Sequence, residues 1–351
     1  VALAADVSPA AASDIINRGR AGLYTPETRA RVVQAAKALG YTPNRAAQRM
    51  RQSKVPSVAI VLTHHLANPF LGRLIFRAET RLESVGADTI LIVGSSSVER
   101  RRPVIDTVQS HAPHGVLIGP VYGSDVKTLD LLAQLKQTAM PVVSFGTVLA
   151  KDGVTHAFHD EQSGALAVDY LIECGHRRIG FIGAPAVTDV SKVFGFGAGV
   201  ADRLRQVGLL NAEWFTVAAD RGDYGTFSKA AQAWVRAWQA KPIDARPTVL
   251  VCKNDQLAIV LLKVLGDAGV RVPRDLSIIG FDNMEEGAYT RPALTTVDNH
   301  VGAVIDAAVD HVLAVVAGDA SAARPIKVQA QQEIVTRESV RRLGPTAGDD
   351  S

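Results

Sequence analysis

The sequence predicts a small all-α head followed by an α/β body of two doubly wound parallel sheets. Two helix starts, each a capping Ser or Thr with Pro behind it, stand within the first 26 residues. From residue 57 the pattern changes to short β-branched runs alternating with amphipathic stretches, the rhythm of βαβ units. About ten such strands would strain a single sheet, so two sheets fit better.

In the head, Ser8-Pro9 opens a helix running towards Asn17, with the cap and the Pro at its first turn in order. Ile15 and Ile16 supply its short apolar face. Thr25-Pro26-Glu27-Thr28 repeats the start with an acid in the first turn. Val32, Val33, Ala36 and Leu39 then recur at helical spacing, and Gly40 ends the helix. Pro43-Asn44-Arg45-Ala46-Ala47-Gln48-Arg49-Met50-Arg51 reads as a third helix, short and basic. Three helices of this size bury little, so the head reads as a marginal module serving a partner surface.

Charge points to the partner. Residues 1–54 carry nine Lys/Arg against Asp6, Asp14 and Glu27, a net +6. The whole chain is only +3, so the body is slightly acidic. Basicity gathered in a small head is the footprint of phosphate contact.

The body begins with Ser57–Leu62, a buried strand, followed by a helix over 69–85. Further strands are predicted at 89–93, 115–119, 141–145, 178–182, 247–251 and 276–281, with a helix at 255–267 among those between them. A chain of 351 residues has room for two or three domains, and 47% hydrophobic content supports sizeable cores. No run of eighteen apolar residues suggests a membrane span, and residues 1–17 lack a basic leader and carry Asp6 and Asp14. Cys174 and Cys252 are far apart and lack metal-ligand spacing, as expected of core thiols in a cytoplasmic protein.

Several runs at near-constant spacing carry a resemblance. They are Val7-Ser8-Pro9 through Asn17, Thr25-Pro26-Glu27-Thr28-Arg29, and Leu39-Gly40-Tyr41-Thr42-Pro43-Asn44-Arg45-Ala46-Ala47. In the body they are Asn68-Pro69-Phe70, Gly175 to Gly183, Asn254-Asp255-Gln256-Leu257-Ala258, Arg271 to Asp282, and Pro292 to Val297. Together they resemble the lactose-repressor (LacI/GalR) family of bacterial transcription regulators. The resemblance implies a helix-turn-helix DNA-binding head at 1–43, its first helix truncated, and a hinge helix and linker at 44–56. It implies a periplasmic-binding-protein-like body at 57–340, which binds effector and dimerises. The expected first lobe is 57–158 plus 291–318 and the second 159–290 plus 319–340, with crossovers near 158–160, 286–293 and 318–320. A helix at about 300–317 returns to the first lobe, and 341–351 is a frayed tail.

For DNA, the resemblance puts the helix from Pro9 in the major groove, with Ser8, Pro9 and Ala10 at the specificity positions. Ser13 and Asn17 reach phosphates or bases, and Thr25, Thr28 and Arg29 contact phosphate. Asn44 and Arg45 open the hinge helix, and Met50 takes the place of the family's minor-groove wedge; packing on the body is the alternative for Met50. Asp14 departs from the family's pattern, because a carboxylate facing DNA is repelled. It either accepts from a cytosine amino group or pairs with Arg18.

For the effector, the resemblance points to Phe70 and Leu71 from the first lobe and Asp160 at the first crossover. Phe196, Tyr224, Asn254 and Asp282 come from the second lobe. Amides and carboxylates bond hydroxyls while an aromatic ring covers a sugar face. For Asp282 the alternative is a turn residue, and for Asn254 a helix cap. Relatives place an Arg within the segment aligned with Val193–Gly199; here Phe196 stands there, or Phe194 if the alignment slips by two. Losing that donor argues against an acidic ligand held there, and Lys253 is a partial substitute.

The resulting expectation is a DNA-binding regulator, a repressor, acting as a homodimer on a near-palindromic operator and controlled by a sugar or related polar metabolite. It implies no cofactor, no metal, no catalytic residues and no membrane partner. No P-loop, His-Glu-x-x-His or Gly-x-Ser-x-Gly motif appears in the sequence. His64-His65, His156 and His159 lack metal-ligand spacing with carboxylates. The alternative is a solute-binding protein without specific DNA binding.

Overall fold

The computed structural model describes residues 1–16, 23–39, 55–63, 69–93, 101–121, 126–138, 140–146, 154–157, 160–184, 195–217, 224–319 and 332–343. The chain divides into two compact units, Val1–Val55 and Pro56–Ser351.

The head unit holds α1 (Pro9–Ile16) and α2 (Pro26–Ala38). Both caps form as the sequence predicts. Ser8 Oγ accepts from the Ala11 amide at 3.1 Å. Thr25, extended at φ −63° and ψ 154°, accepts from the Thr28 amide at 3.3 Å. Ala5, Ala12, Ile15 and Val32 form the small core. The predicted apolar stripe of α2 is narrower than expected, because Val33 and Leu39 are 57% and 59% exposed. Among the described residues, α2 covers only the seam of Val32 and Ala35 against the rest of the small core. The third helix expected from Asn44 lies outside the described residues.

In the body, β1 (Ser57–Leu62), β2 (Asp88–Val93), β3 (Gly115–Val121), β4 (Val142–Gly146) and β5 (Val154–Ala157) form one parallel sheet, ordered β2-β1-β3-β4-β5. Alternation along β1 builds two cores at once. Val58, Ile60 and Leu62 face α3 (Pro69–Ser84) and α10 (Val301–Val316). Ala59 and Val61 face α4 (Arg101–His111) and α5 (Val126–Lys136). Burial on both faces is why these strands read as continuous Val/Ile runs.

The second sheet contains β6 (Ile179–Ala184), β7 (Phe215–Val217), β8 (Val249–Cys252), β9 (Ser277–Phe281), β10 (Thr295–Asp298) and β11 (Glu333–Val335). Its order is β11-β10-β9-β8-β6-β7, with β11 antiparallel to β10. Val249, Val251, Ile279 and Phe281 pack on α6 (Asp160–Glu173) and α7 (Phe196–Gln206). Leu250, Cys252 and Ile278 pack on α8 (Tyr224–Ala240) and α9 (Asp255–Asp267).

Two expected boundaries move. The crossover placed near 286–293 does not fall there, and the first lobe does not resume at 291. Thr295–Asp298 instead forms β10, parallel to β9 and inside the second sheet. The chain passes to the first lobe between Asp298 and Val301, where α10 packs on α3, β3, β4 and β5. Thr295, Thr296 and Val297 favour a strand, but a run of four residues is too short to mark one. The tail expected from 341 also starts too early. Arg341–Leu343 are tied to the second lobe through Leu343 N to Cys174 O at 2.7 Å and His176 Nε2 to Arg341 O at 3.1 Å. Burial holds the His176 imidazole near pKa 4, so it docks this segment as a neutral ring.

Candidate functional site

On the head, Ser8, Pro9 and Ala10 are exposed at the start of α1, and Ser13 and Asp14 are half-buried one turn on. Thr25 is exposed beside α2, its Oγ1 3.1 Å from Thr28 Oγ1, and Arg29 is exposed as well. The exposed α1 N-terminus, with the positive end of its macrodipole, suits a phosphate or base edge. Asp14 finds a partner the sequence reading missed: the Tyr24 hydroxyl donates to its Oδ2 at 3.0 Å. That bond ties the end of α1 to the turn before α2. Asn17, Arg18, Asn44, Arg45 and Met50 lie outside the described residues.

In the body, both sheets reverse their winding at one place, between β1 and β3 and between β6 and β8. The crevice at the carboxyl ends of such strands is where open α/β sheets bind ligands. At the first, Thr63 Oγ1 donates to Pro120 O at 2.7 Å, tying the β1 end to the β3 end. Phe70 and Leu71, at the start of α3, are both buried in the core beneath.

The second crevice is polar. Lys253 follows β8, its amide bonded to Ile182 O at 2.9 Å and its Nζ 5.6 Å from the Phe227 ring centroid. Gly183 is required beside it, because at φ +133° an added Cβ would lie 2.3 Å from Lys253 Cβ. Asn254 Oδ1 accepts from the Leu257 amide at 3.0 Å, so the oxygen serves as the cap of α9, and the side-chain NH₂ offers donors to a ligand.

Asp255, one residue on, is fully buried. It accepts from Thr296 Oγ1 at 2.6 Å and from the Met284 amide at 2.7 Å. Desolvation outweighs these donors and lifts its carboxyl to a pKa of about 7. Asp282 is buried to 7% exposure at φ +104°, its amide bonded to Val297 O at 3.0 Å and its Oδ1 3.5 Å from Asn299 Nδ2.

The other expected effector residues are placed less uniformly. Tyr224 opens α8 and is 46% exposed, its hydroxyl pKa raised by burial and the nearby Glu286 charge. Asp160 opens α6. Phe196 is 5% exposed and belongs to the core of the second lobe. Its ring stacks on Phe281 with centroids 4.3 Å apart, and Phe181 lies 6.4 Å away. Sequence position alone suggested a cleft residue, but three aromatic rings converge there to fill the space between α7 and the sheet.

Asp298, His300 and Glu333 bring three possible metal-ligand atoms within 4.8 Å of one another. The ring nitrogens face different carboxylates, Nδ1 at 3.9 Å from Asp298 and Nε2 at 3.8 Å from Glu333. That is the geometry of a bridge between two carboxylates rather than of one ion's ligand set.

Residues 168–340 match the model of the periplasmic binding protein-like domain. Over 347 residues the chain is 29% identical to the HTH-type transcriptional repressor PurR of Aliivibrio fischeri (strain MJ11), covering 97% of each. It is 27% identical to the PurR of Pasteurella multocida (strain Pm70) over 299 residues, 85% of each. Among solved structures, the lac repressor dimer bound to operator and the anti-inducer ONPF superposes with a TM-score of 0.74 at 21% identity, covering 97% of both chains. The complex of the transcriptional regulator CelR with cellobiose gives 0.66 at 21% identity, covering 96% of this chain and 98% of that one.

Proposed function

This chain belongs to the lactose-repressor (LacI/GalR) family of transcription regulators, and on that premise we propose that it is an operator-binding repressor, acting in the cytoplasm and governed by a small polar effector. The observation that carries the reading is the pairing, in one chain, of a basic capped-helix head with a body that carries Lys253, Asn254 and Asp282 at the carboxyl ends of β8 and β9.

The head reads DNA through the exposed α1 start at Ser8, Pro9 and Ala10, with Ser13 and Asn17 behind it. Thr25, Thr28 and Arg29 hold phosphates. The Tyr24 bond to Asp14 supports this reading, because it gives the carboxylate a role other than facing DNA. Asn44, Arg45 and Met50 remain assigned to a minor-groove hinge.

The effector sits between the lobes. Lys253, the Asn254 amide, Asp160 and Asp282 supply donors and acceptors, while Tyr224 offers a face and Phe70 and Leu71 the floor opposite. Phe196 supports them from the core. A neutral polyol suits this set, and the cellobiose complex of a structural relative supports it. Ligand shifts the balance between two lobe arrangements, and its leverage is limited to its differential affinity for them. Ligand release of DNA is the proposed sign.

The chain acts as a homodimer on a near-palindrome. An apolar strip supports this: Phe76 on α3 is 70% exposed, and Leu91 and Val93 on the edge strand β2 are exposed on one face of that strand.

The test is fluorescence anisotropy of the full-length protein against randomised duplexes at two salt concentrations, with sequencing of the bound pool. A palindromic motif and affinity falling steeply with salt are expected. Weak, sequence-blind binding would overturn the reading in favour of a solute-binding protein.

A further inference from the structure

Arg73, Arg77 and Arg81 of α3 are spaced four apart and share one stripe of the helix. Two of them meet acids spaced the same way on α10. Arg77 Nε donates to Asp306 Oδ1 at 2.7 Å, and Arg81 Nε to Asp310 Oδ1 at 2.8 Å. The pairs advance in the same direction, so the next rung sets Arg73 against position 302. That residue is Gly302, which has no carboxylate to offer.

Arg73 instead leaves its own lobe. Its Nη1 donates to the carbonyl of Asp282 at 2.8 Å and to that of Asn283 at 3.1 Å, both in the second lobe. Consecutive positive φ values, +104° and +46°, turn these two carbonyls towards a single donor. The loop they belong to is held firmly from behind. Met284 N donates to Asp255, Asn283 Nδ2 donates to Asp298 Oδ2 at 2.8 Å, and Arg337 Nη2 donates to Asn283 Oδ1 at 2.8 Å. A charged donor on two carbonyls is a strong, directional contact. It ends at the residue whose side chain the effector reading places against ligand.

We propose that Arg73 is a positioning residue, a strut from the first lobe that fixes the arrangement of the lobes through the backbone of Asp282 and Asn283. Its bearing on effector rests on the reading of Asp282 given above, but the strut itself does not. Because Gly302 leaves the third rung empty, Arg73 is free to bridge lobes while Arg77 and Arg81 hold α3 to α10.

The test is the distance between spin labels at Glu79→Cys on α3 and Lys263→Cys on α9, measured by pulsed dipolar spectroscopy in the full chain. The labelled protein is diluted with unlabelled protein to suppress pairs between subunits. Cys174 and Cys252 are buried and stay unlabelled. Arg73→Ala is expected to displace or broaden the distance distribution, and Arg73→Lys, which keeps one cationic donor, to restore it. Arg77→Ala leaves it unchanged, because its pair lies within one lobe.

Gly302→Asp is the second variant. An added Cβ there has room, its nearest neighbour being Arg77 Nε at 3.8 Å, and an acid suits the first turn of α10. The substitution is made on an Arg77→Ala background, which removes the guanidinium nearest position 302, so the new carboxylate draws Arg73 back onto its own lobe and the distribution should move as in Arg73→Ala. Distributions in Gly302→Asp and Arg73→Ala that superimpose on the wild type would overturn the proposal. If Arg73→Ala fails to fold, Gly302→Asp decides alone. The measurement needs neither DNA nor ligand, so its outcome is separable from that of the regulator reading.

Discussion

The two lobes share one winding, order 2-1-3-4-5 in the first sheet and its equivalent 7-6-8-9-10 in the second, yet their crevices differ in chemistry. In the first lobe the strand ends are tied to each other, Thr63 to Pro120, and the following helix begins with Phe70 and Leu71 in the core. In the second, the residues after β8 and β9 are Lys253, Asn254, Asp255 and Asp282, whereas those after β3 and β4 in the first lie outside the described residues. The shared topology leaves a crevice at the carboxyl ends of the strands in each lobe. Among the described residues of the first lobe, Arg73 reaches across to the second.

The sharpest way to break this comparison is at the paired phenylalanines. Phe196 and Phe70 are almost equally buried, at 5% and 6% exposure. Phe196→Ala removes the α7 ring stacked on Phe281 and is expected to destabilise the body by about 3–5 kcal/mol. Phe70→Ala removes one ring from a core that α10 also seals, and its cost falls in the same range or below it. Urea unfolding of both variants checks this. A Phe196→Ala variant that keeps its stability but loses ligand would mean that the ring lines the cleft after all.

Phe196 also marks how far the sequence could be read. The parallel strands were legible because burial on both faces writes unbroken Val/Ile runs, as in Ser57–Leu62. The caps at Ser8 and Thr25 were legible because they are local. Thr295–Asp298 was not, since its strand character comes from pairing with β9 and β11 on either side. The residue types expected at the site were legible in their order along the chain, and Asn254 takes up the helix cap that was its alternative role. What sequence order cannot show is which side chains converge. Tyr24 on Asp14, Asp255 on Thr296 and Arg73 on Asp282 join residues 10, 41 and 209 positions apart. Only for Arg73 did a local signal exist, the fourfold spacing of arginines on one helix.

Asp255 sharpens the contrast through pH. Its carboxyl is raised by burial from its usual value near 4 to about 7 in the fold. A raised folded pKa means that the folded state binds the extra proton. Stability from this group is therefore fully present below about pH 4 and lost as pH rises to about 7. The difference corresponds to at most about 4 kcal/mol. His176 slopes the other way, since its imidazole is depressed to about 4 and costs stability as pH falls below its normal range. The two effects overlap in the wild type, so the informative quantity is the difference between wild type and Asp255→Asn. The variant is expected to gain on the wild type steadily between pH 5 and about 8 in thermal unfolding, where the isosteric amide carries no charge. A difference that stays constant across that range would show that Asp255 titrates normally and that the second crevice is less enclosed than its neighbour contacts indicate.

The smallest expected effect tests the first lobe. Its helices α3 and α10 meet across an apolar seam of Leu74, Ala78, Val304, Ile305 and Ala308, with the Arg77–Asp306 pair at the rim, where the Arg side chain is 54% exposed. Exposed pairs contribute no more than about 1 kcal/mol, and salt screens them. Arg77→Ala is thus expected to lower stability by at most that amount, and most of the difference should vanish in about 0.5 M salt, where the screening length falls to a few ångströms. Unfolding at low and high salt measures both. A larger loss that persists in salt would mean that the ion pair, rather than the apolar seam, sets how α3 lies on α10. The first lobe would then depend on a polar contact at its rim, unlike the second, whose helices pack on its sheet through apolar cores.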